Sequence, residues 1–181
     1  MSDFLQSMAK SSAARVAEAP SFTAADFDKP VVPLDPGPFG VIAEIKRRSP
    51  AEGQLDNAPE FGTSYLVSRA RAYATGGAAA ISVLTEPSRF DGELAHLEDV
   101  AAALPGTPVM RKDFLVDPVQ VLEARKAGAS GVLLIAAMLD DAVLKSMLDC
   151  AWEHGMFVLL EAFDEDDLER SSRFLDGAGQ I

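Results

Sequence analysis

The sequence predicts an α/β fold built from repeated strand–helix units. Three observations carry that prediction: five short apolar runs rich in β-formers, a longer helical pattern after each, and a glycine wherever a helix hands over to the next strand. The runs are Val41–Ile45, Ala79–Leu84, Pro108–Met110, Gly131–Ala136 and Met156–Leu160. Near-continuous apolar strands of this kind suit a parallel sheet covered on both faces.

In chain order, residues 3–18 are Ala-rich with Phe4, Leu5 and Met8 near helical spacing, which predicts one amphipathic helix. Lys29–Phe39 holds Pro30, Pro33, Pro36 and Pro38, so it is read as a linker, and residues 1–40 form an N-terminal helix and Pro-rich segment ahead of the βα units of 41–181. Asp117-Pro118 places an N-cap before a first-turn proline. Asp140-Asp141 opens the next helix, and Asp164-Glu-Asp-Asp loads the first turn of the last with acids. Gly77, Gly128 and Gly155 stand at the helix stops, where a left-handed residue is wanted.

The later units repeat about every 25 residues, so a sixth strand is due near Ile181, where the sequence stops. Two architectures fit. The chain is a βα series interrupted inside a larger barrel, or it is a five-stranded doubly wound sheet of flavodoxin type.

Composition narrows the functional classes. The chain has 181 residues, 48% hydrophobic and 24% charged, with 13 Gly, 11 Pro and one Cys, which excludes disordered, collagen-like and disulfide-scaffold readings. The formal net charge of −12 argues against coating nucleic acid or an anionic membrane. Seven acids against two Arg between Glu161 and Asp176 supply nearly half of that imbalance and describe a solvated face. The lone Cys150 excludes an internal disulfide and Cys-rich zinc sites, and a reducing cytoplasm fits. The start, Met-Ser-Asp-Phe-Leu-Gln, lacks a signal-peptide pattern, and the longest apolar run, Val132–Leu139, is far short of a membrane span.

In either architecture, function gathers at the carboxyl ends of the strands. The first run ends in Glu44-Ile-Lys46, two residues apart and hence on one side of a strand, so acid and amine can fix each other's geometry. A structural salt bridge is the plain alternative. Arg47 and Arg48 read as solvated. The third run leads into Arg111-Lys112-Asp113, where a partly desolvated lysine with a cationic neighbour can have its pKa lowered toward general-acid duty. The fifth ends in Glu161 after four apolar residues, and burial would demand a Lys partner across the barrel. Glu44/Lys46, Lys112 and Glu161 are therefore expected to converge on one cavity. His96 and His154 fall in helical stretches and read as surface residues, Met138, Met147 and Trp152 as core, and Cys150 as inert. There are no clustered metal ligands, nucleotide-binding glycine motifs or nucleophile elbow.

Four segments taken together, Val41-Ile-Ala-Glu-Ile-Lys-Arg-Arg-Ser-Pro50, Ile81-Ser-Val-Leu-Thr-Glu86 with Arg89-Phe-Asp-Gly92, Met110-Arg-Lys-Asp-Phe-Leu115 and Gly131-Val-Leu-Leu-Ile135, resemble indole-3-glycerol phosphate synthase of tryptophan biosynthesis. The resemblance runs in order from about residue 3 to the end. It implies a (β/α)8 TIM barrel with an N-terminal helical extension, of which about five βα units are present. It implies a carbon–carbon lyase closing the ring of 1-(2-carboxyphenylamino)-1-deoxyribulose 5-phosphate with loss of carbon dioxide and water, without cofactor or metal. Lys112 matches the general acid, Glu161 the proton-transfer carboxylate, and Lys46 a lysine that binds the substrate carboxylate and can itself donate a proton. Glu44 matches a residue orienting the lysines, Ser49 a phosphate contact, and Phe90, Phe114 and Leu133 the apolar wall.

There are departures from the family pattern. The Asn-Arg, Glu-Ser-Gly and glycine-rich phosphate motifs of the family's last three strands have no counterpart here, and Ala51 stands where Ser is common. The 181-residue chain is accordingly expected to be inactive or nearly so by itself, a fragment needing strands six to eight or a complementing chain, and to self-associate through open barrel edges. The isomerase acting one step earlier is a further phosphate-handling barrel of this kind, but Glu44/Lys46 with Arg-Lys-Asp-Phe favours the synthase.

Overall fold

The computed structural model describes residues 2–16, 21–55 and 63–175. Five parallel strands, β1 (Ile42–Ile45), β2 (Ala80–Leu84), β3 (Val109–Lys112), β4 (Gly131–Ile135) and β5 (Phe157–Glu161), form one sheet in sequential order. Sequential order excludes the doubly wound alternative, in which the strand order reverses at a switch point. The sheet is the beginning of a (β/α) barrel, with the helices α2 (Thr63–Thr75), α4 (Leu94–Ala103), α5 (Pro118–Ala127) and α6 (Asp141–Glu153) on its outer face. Helix α1 (Asp3–Val16) precedes the sheet, a single turn α3 (Pro87–Phe90) follows β2, and α7 (Glu165–Leu175) follows β5.

Local chemistry sets these boundaries as expected. Asp117 accepts the Val119 amide at 2.8 Å, Asp140 that of Val143 at 2.9 Å and Asp164 that of Asp167 at 2.8 Å, each meeting an orphan donor of a first turn. Gly77, Gly128 and Gly155 have φ of 89°, 99° and 71°, where a Cβ would be strained. The third strand continues past Met110 to Lys112, because its backbone stays paired with β2 through Leu84. The N-terminal helix is described to Val16, and the last residues expected for it lie outside the described residues.

Strand alternation divides the interior in two. Ile81, Val83, Val109, Val132, Leu134 and Val158 point outward and join the large core under the helices. Ala80, Met110, Leu133, Ile135 and Phe157 point inward, and Leu5 and Met8 of α1 pack on them, so the apolar face of α1 covers part of the barrel interior. Gly131 sits inside for a steric reason: a Cβ there would lie 2.4 Å from the Phe157 ring.

Between α1 and β1 the chain makes one 3-10 turn at Ala24–Asp26, and the Pro-rich stretch after it has no regular structure, but this connection is not a free tether. It runs along α5, with Asp26 paired to Lys126 at 2.8 Å, the carbonyls of Phe27 and Lys29 accepting from Arg125, and the Val32 amide donating to Ser130 at 2.9 Å.

Among the described residues, β1 and β5 each have one unpaired edge. Their inward side chains Ile42 and Leu159 are 36% and 37% exposed, and Phe163 just beyond β5 is 58% exposed. Apolar edges of this kind recruit further strands. The protein is expected to run as oligomers in light scattering at micromolar concentration; a monodisperse monomer that melts cooperatively would show that the edges are protected.

Candidate active site

The carboxyl ends of the strands open into a cavity of about 670 Å³ lined by Glu44, Lys46, Lys112 and Glu161, with Phe90, Phe114 and Leu133 as its apolar side. These seven of the eight residues expected at a site come together here. Ser49 is buried nearby in a two-residue ladder, Arg48–Ser49 against Gly53–Gln54, but does not line the cavity.

Register explains the charged group. Glu44 lies opposite Ser82, and Lys112 opposite Leu84, so both face inward at the top of the sheet. Glu44 bridges two lysines, with Lys46 Nζ 2.8 Å from Oε1 and Lys112 Nζ 2.7 Å from Oε2. Burial pushes the Glu44 carboxyl up, yet the hydrogen bonds from Lys112 and Lys46 outweigh it and hold it below its ordinary value. The carboxylate stays ionised, and the trio carries one net positive charge facing the cavity.

Two expectations need correction. The cationic neighbour foreseen for Lys112 was Arg111, but adjacent strand residues point to opposite faces, and Arg111 is buried on the outer side against Thr85, Gln120 and Glu123. The group beside Lys112 is an acid. Glu161 lines the cavity half-buried, and among the described residues it has no lysine partner, since both nearby lysines are engaged by Glu44.

The histidines also differ from their surface reading. His96 is 9% exposed; its Nδ1 accepts the Glu93 amide at 3.2 Å at the start of α4, and burial lowers its pKa. His154 is half-buried, edge-on to Phe27 at 4.9 Å. Cys150 is a free thiol whose pKa burial raises, in keeping with an inert role. Met147 is buried in the core, with Met138 and Trp152 packed against it.

Sequence reasoning missed the polar frame behind the cavity. Asp113, with no exposed side-chain area, accepts from both Nη atoms of Arg15 in α1 at 2.8 and 2.9 Å. It also accepts from Thr85 Oγ1 at 2.8 Å, Arg111 Nη2 at 3.1 Å and the Phe114 amide at 2.8 Å. Beside it, buried Glu86 accepts the amides of Ser88 and Arg89 at 2.9 and 2.7 Å, fixing the turn that presents Phe90. Gly92 closes that turn so tightly that a Cβ would lie 2.5 Å from the Leu84 carbonyl oxygen. Arg-Lys-Asp-Phe was visible as a motif, but Arg15 carried no signal of its own.

Among the described residues there is no cluster of three or more His, Cys, Asp or Glu able to hold a metal, and no helix long and apolar enough to cross a membrane.

A sequential parallel βα sheet whose acids and amines meet at the strand ends beside an apolar cavity defines a (β/α)-barrel protein with its site at the usual face. The particular family follows from comparison: the model of indole-3-glycerol phosphate synthase matches residues 7–176, and the chain belongs to that family. It is 51% identical over 145 residues to the indole-3-glycerol phosphate synthase of a Nocardioides species, covering 77% of this chain and 54% of that one. It is 51% identical over 131 residues to that of Leifsonia xyli, covering 72% and 48%. The chain thus spans about half the length of these relatives. Among solved structures, a Rhizobium etli pyruvate carboxylase variant is similar in fold alone, with TM-score 0.51 and 13% identity over 74% of this chain and 15% of that one.

Asp113 supplies a pH test. Burial raises its pKa, but the bond from Arg15, the charges of Arg111 and Arg15 and the bond from Thr85 lower it from 3.8 to about 2. Because the folded value lies below the unfolded one, about 2 kcal/mol of stability is fully present above pH 4 and is lost as pH falls toward 2. Asp113→Asn is expected to cost about 3–5 kcal/mol in urea unfolding at pH 7, with the gap to wild type narrowing between pH 4 and 2. A gap independent of pH over that window would contradict the assignment.

Proposed function

We propose that this site performs indole-3-glycerol phosphate synthesis: ring closure of 1-(2-carboxyphenylamino)-1-deoxyribulose 5-phosphate, a phosphorylated small molecule, with loss of carbon dioxide and water in tryptophan biosynthesis. The observation that carries the reading is the Lys46–Glu44–Lys112 chain at the edge of a cavity walled by Phe90, Phe114 and Leu133. An aromatic ring bearing a carboxylate needs such a pairing of apolar wall and cation.

In this mechanism Lys46 holds the substrate carboxylate, and it is a second candidate proton donor. Lys112 donates a proton to the ribulose carbonyl oxygen while the ring carbon attacks the carbonyl carbon and the C–O π pair moves to oxygen. The carboxylate then leaves as carbon dioxide, its bonding pair restoring the ring π-system. Glu161 moves the protons needed to expel the hydroxyl as water. Glu44 holds both ammonium groups in place between events, and the phosphate contact matched to Ser49 lies outside this cavity, at the Arg48–Ser49 ladder. The chemistry proposed draws on side chains alone, without cofactor or metal. The lone Cys150 supports a reducing compartment, the cytoplasm.

A second reading is favoured by the open edges of β1 and β5: the chain holds the acid–base groups but turns over only when further βα units complete the phosphate site. Turnover by the 181-residue chain alone, seen as indole fluorescence, would overturn it.

For the first reading, Lys112→Ala in a chain completed with the remaining βα units is expected to slow ring closure by roughly 10²- to 10⁴-fold with the melting temperature shifted by only a few degrees. An unchanged rate would reduce Lys112 to a structural charge.

A further inference from the structure

Helix α1 is fastened to the sheet in two chemically different ways. Its N-terminal half carries Phe4, Leu5 and Met8 to the cavity and barrel interior, where Phe4 meets the Phe114 ring edge-on at 5.8 Å and 79°. Its C-terminal half carries polar anchors: Ser12 Oγ accepts from Gln120 Nε2 at 2.9 Å, and Arg15 grips Asp113 with both Nη atoms. Apolar contacts are non-directional and would tolerate a helix that slides or turns by part of a residue. A planar guanidinium on a planar carboxylate does not, because two parallel hydrogen bonds define both distance and orientation.

Asp113 makes that constraint local to the site. The Oδ1 atom that accepts from Arg15 also accepts the amide of Phe114, whose ring packs against both Phe4 and, at 6.1 Å, Phe90. Lys112, the preceding residue, points to the opposite side, into the cavity under these rings. The latch residue, the aromatic wall and the inward lysine are consecutive: 113, 114 and 112.

We propose that Arg15 is a positioning residue of the site: through Asp113 it fixes α1 and the Phe114 ring in one register, and so sets the width of the mouth above Lys112. Its relevance to catalysis rests on the function proposed above, but its geometry does not, and the two can fail separately. Arg15 touches neither substrate nor reacting atoms. Its effect reaches the cavity through the helix it holds and through the backbone of Phe114.

The test reads position rather than turnover. In the intact chain, acetylation of Lys112 is followed by peptide mass spectrometry relative to Lys145, an exposed lysine on α6, and amide hydrogen exchange is followed over residues 3–16 and 113–116. Arg15→Met is expected to speed Lys112 acetylation relative to Lys145 by roughly tenfold and to raise exchange in both segments by a similar factor, while the peptides of β4 and α6 keep their protection. Arg15→Lys, which keeps the charge but not the fork, is expected to fall between. Ser12→Ala removes a neighbouring anchor and leaves the latch, so it should stay within about twofold of wild type on both readouts.

The proposal is overturned if Arg15→Met leaves Lys112 labelling and α1 exchange within about twofold of wild type, or if Ser12→Ala opens the site as far as Arg15→Met does. If Arg15→Met does not fold, Arg15→Lys decides: intermediate opening supports the latch, and none overturns it. A latch confirmed in a protein whose Lys112→Ala variant cyclises as fast as wild type would sink the proposed function while leaving the positioning role standing.

Discussion

A carboxylate with no exposed side-chain area is the constraint on which the upper half of this structure depends. An unpaired charge there would cost several kcal/mol, so Asp113 must collect donors wherever the chain can supply them. It takes them from the end of β2 through Thr85, from β3 through Arg111, from its own successor Phe114, and from α1 through Arg15. These are segments otherwise separated by up to 98 residues. The exposed pairs Lys145–Asp149 and Arg173–Glu169 are worth at most about 1 kcal/mol each and could be lost without consequence. The Asp113 cluster could not, because removing one partner strands the others.

The two-residue period of β3 turns this structural need into a functional separation. Arg111 lies outside with the frame, Lys112 inside with the cavity, and the two cations answer to different acids, Arg111 to Asp113 and Glu123, Lys112 to Glu44. The rigid buried network therefore adjoins Lys112 along the backbone without bonding to its ammonium group. Lys112 is 37% exposed at its side chain and Arg111 3%, which is the difference between a group that can meet a ligand and one that cannot.

The parts of the fold legible in the sequence are those whose cause is local. Asp117, Asp140 and Asp164 cap because an acid can bend back to an amide two or three residues on, and Gly128 ends α5 because φ of 99° excludes a side chain. The Glu44–Lys46 pair was legible from its spacing, and the strand-end rule placed Lys112 and Glu161 on the same cavity. What was not legible depends on neighbours distant in sequence. Lys112 was read against Arg111, beside it in the chain, whereas its partner Glu44 is 68 residues away. His96 reads as a surface residue because helical spacing alone does not show that its ring is buried and accepts the Glu93 amide. Arg15 sits in an Ala-rich helix like any solvated arginine, and only the docking of α1 brings it to Asp113.

The bridging carboxylate also explains how two lysines share a small cavity. Two ammonium groups about 5 Å apart repel by a few kcal/mol at an effective dielectric near 20, and the pair would relieve that by swinging apart. A single acid between them, at 2.8 and 2.7 Å, holds both in place. A second acid bonded to the same pair would cancel the remaining charge of the trio. Glu161 meets that limit by lining the same cavity without bonding to either lysine. Of the two glutamates lining the cavity, Glu44 is therefore committed to the lysines and Glu161 is not. For the ring closure proposed above, that asymmetry leaves Glu44 to hold the lysines and Glu161 to face the ligand.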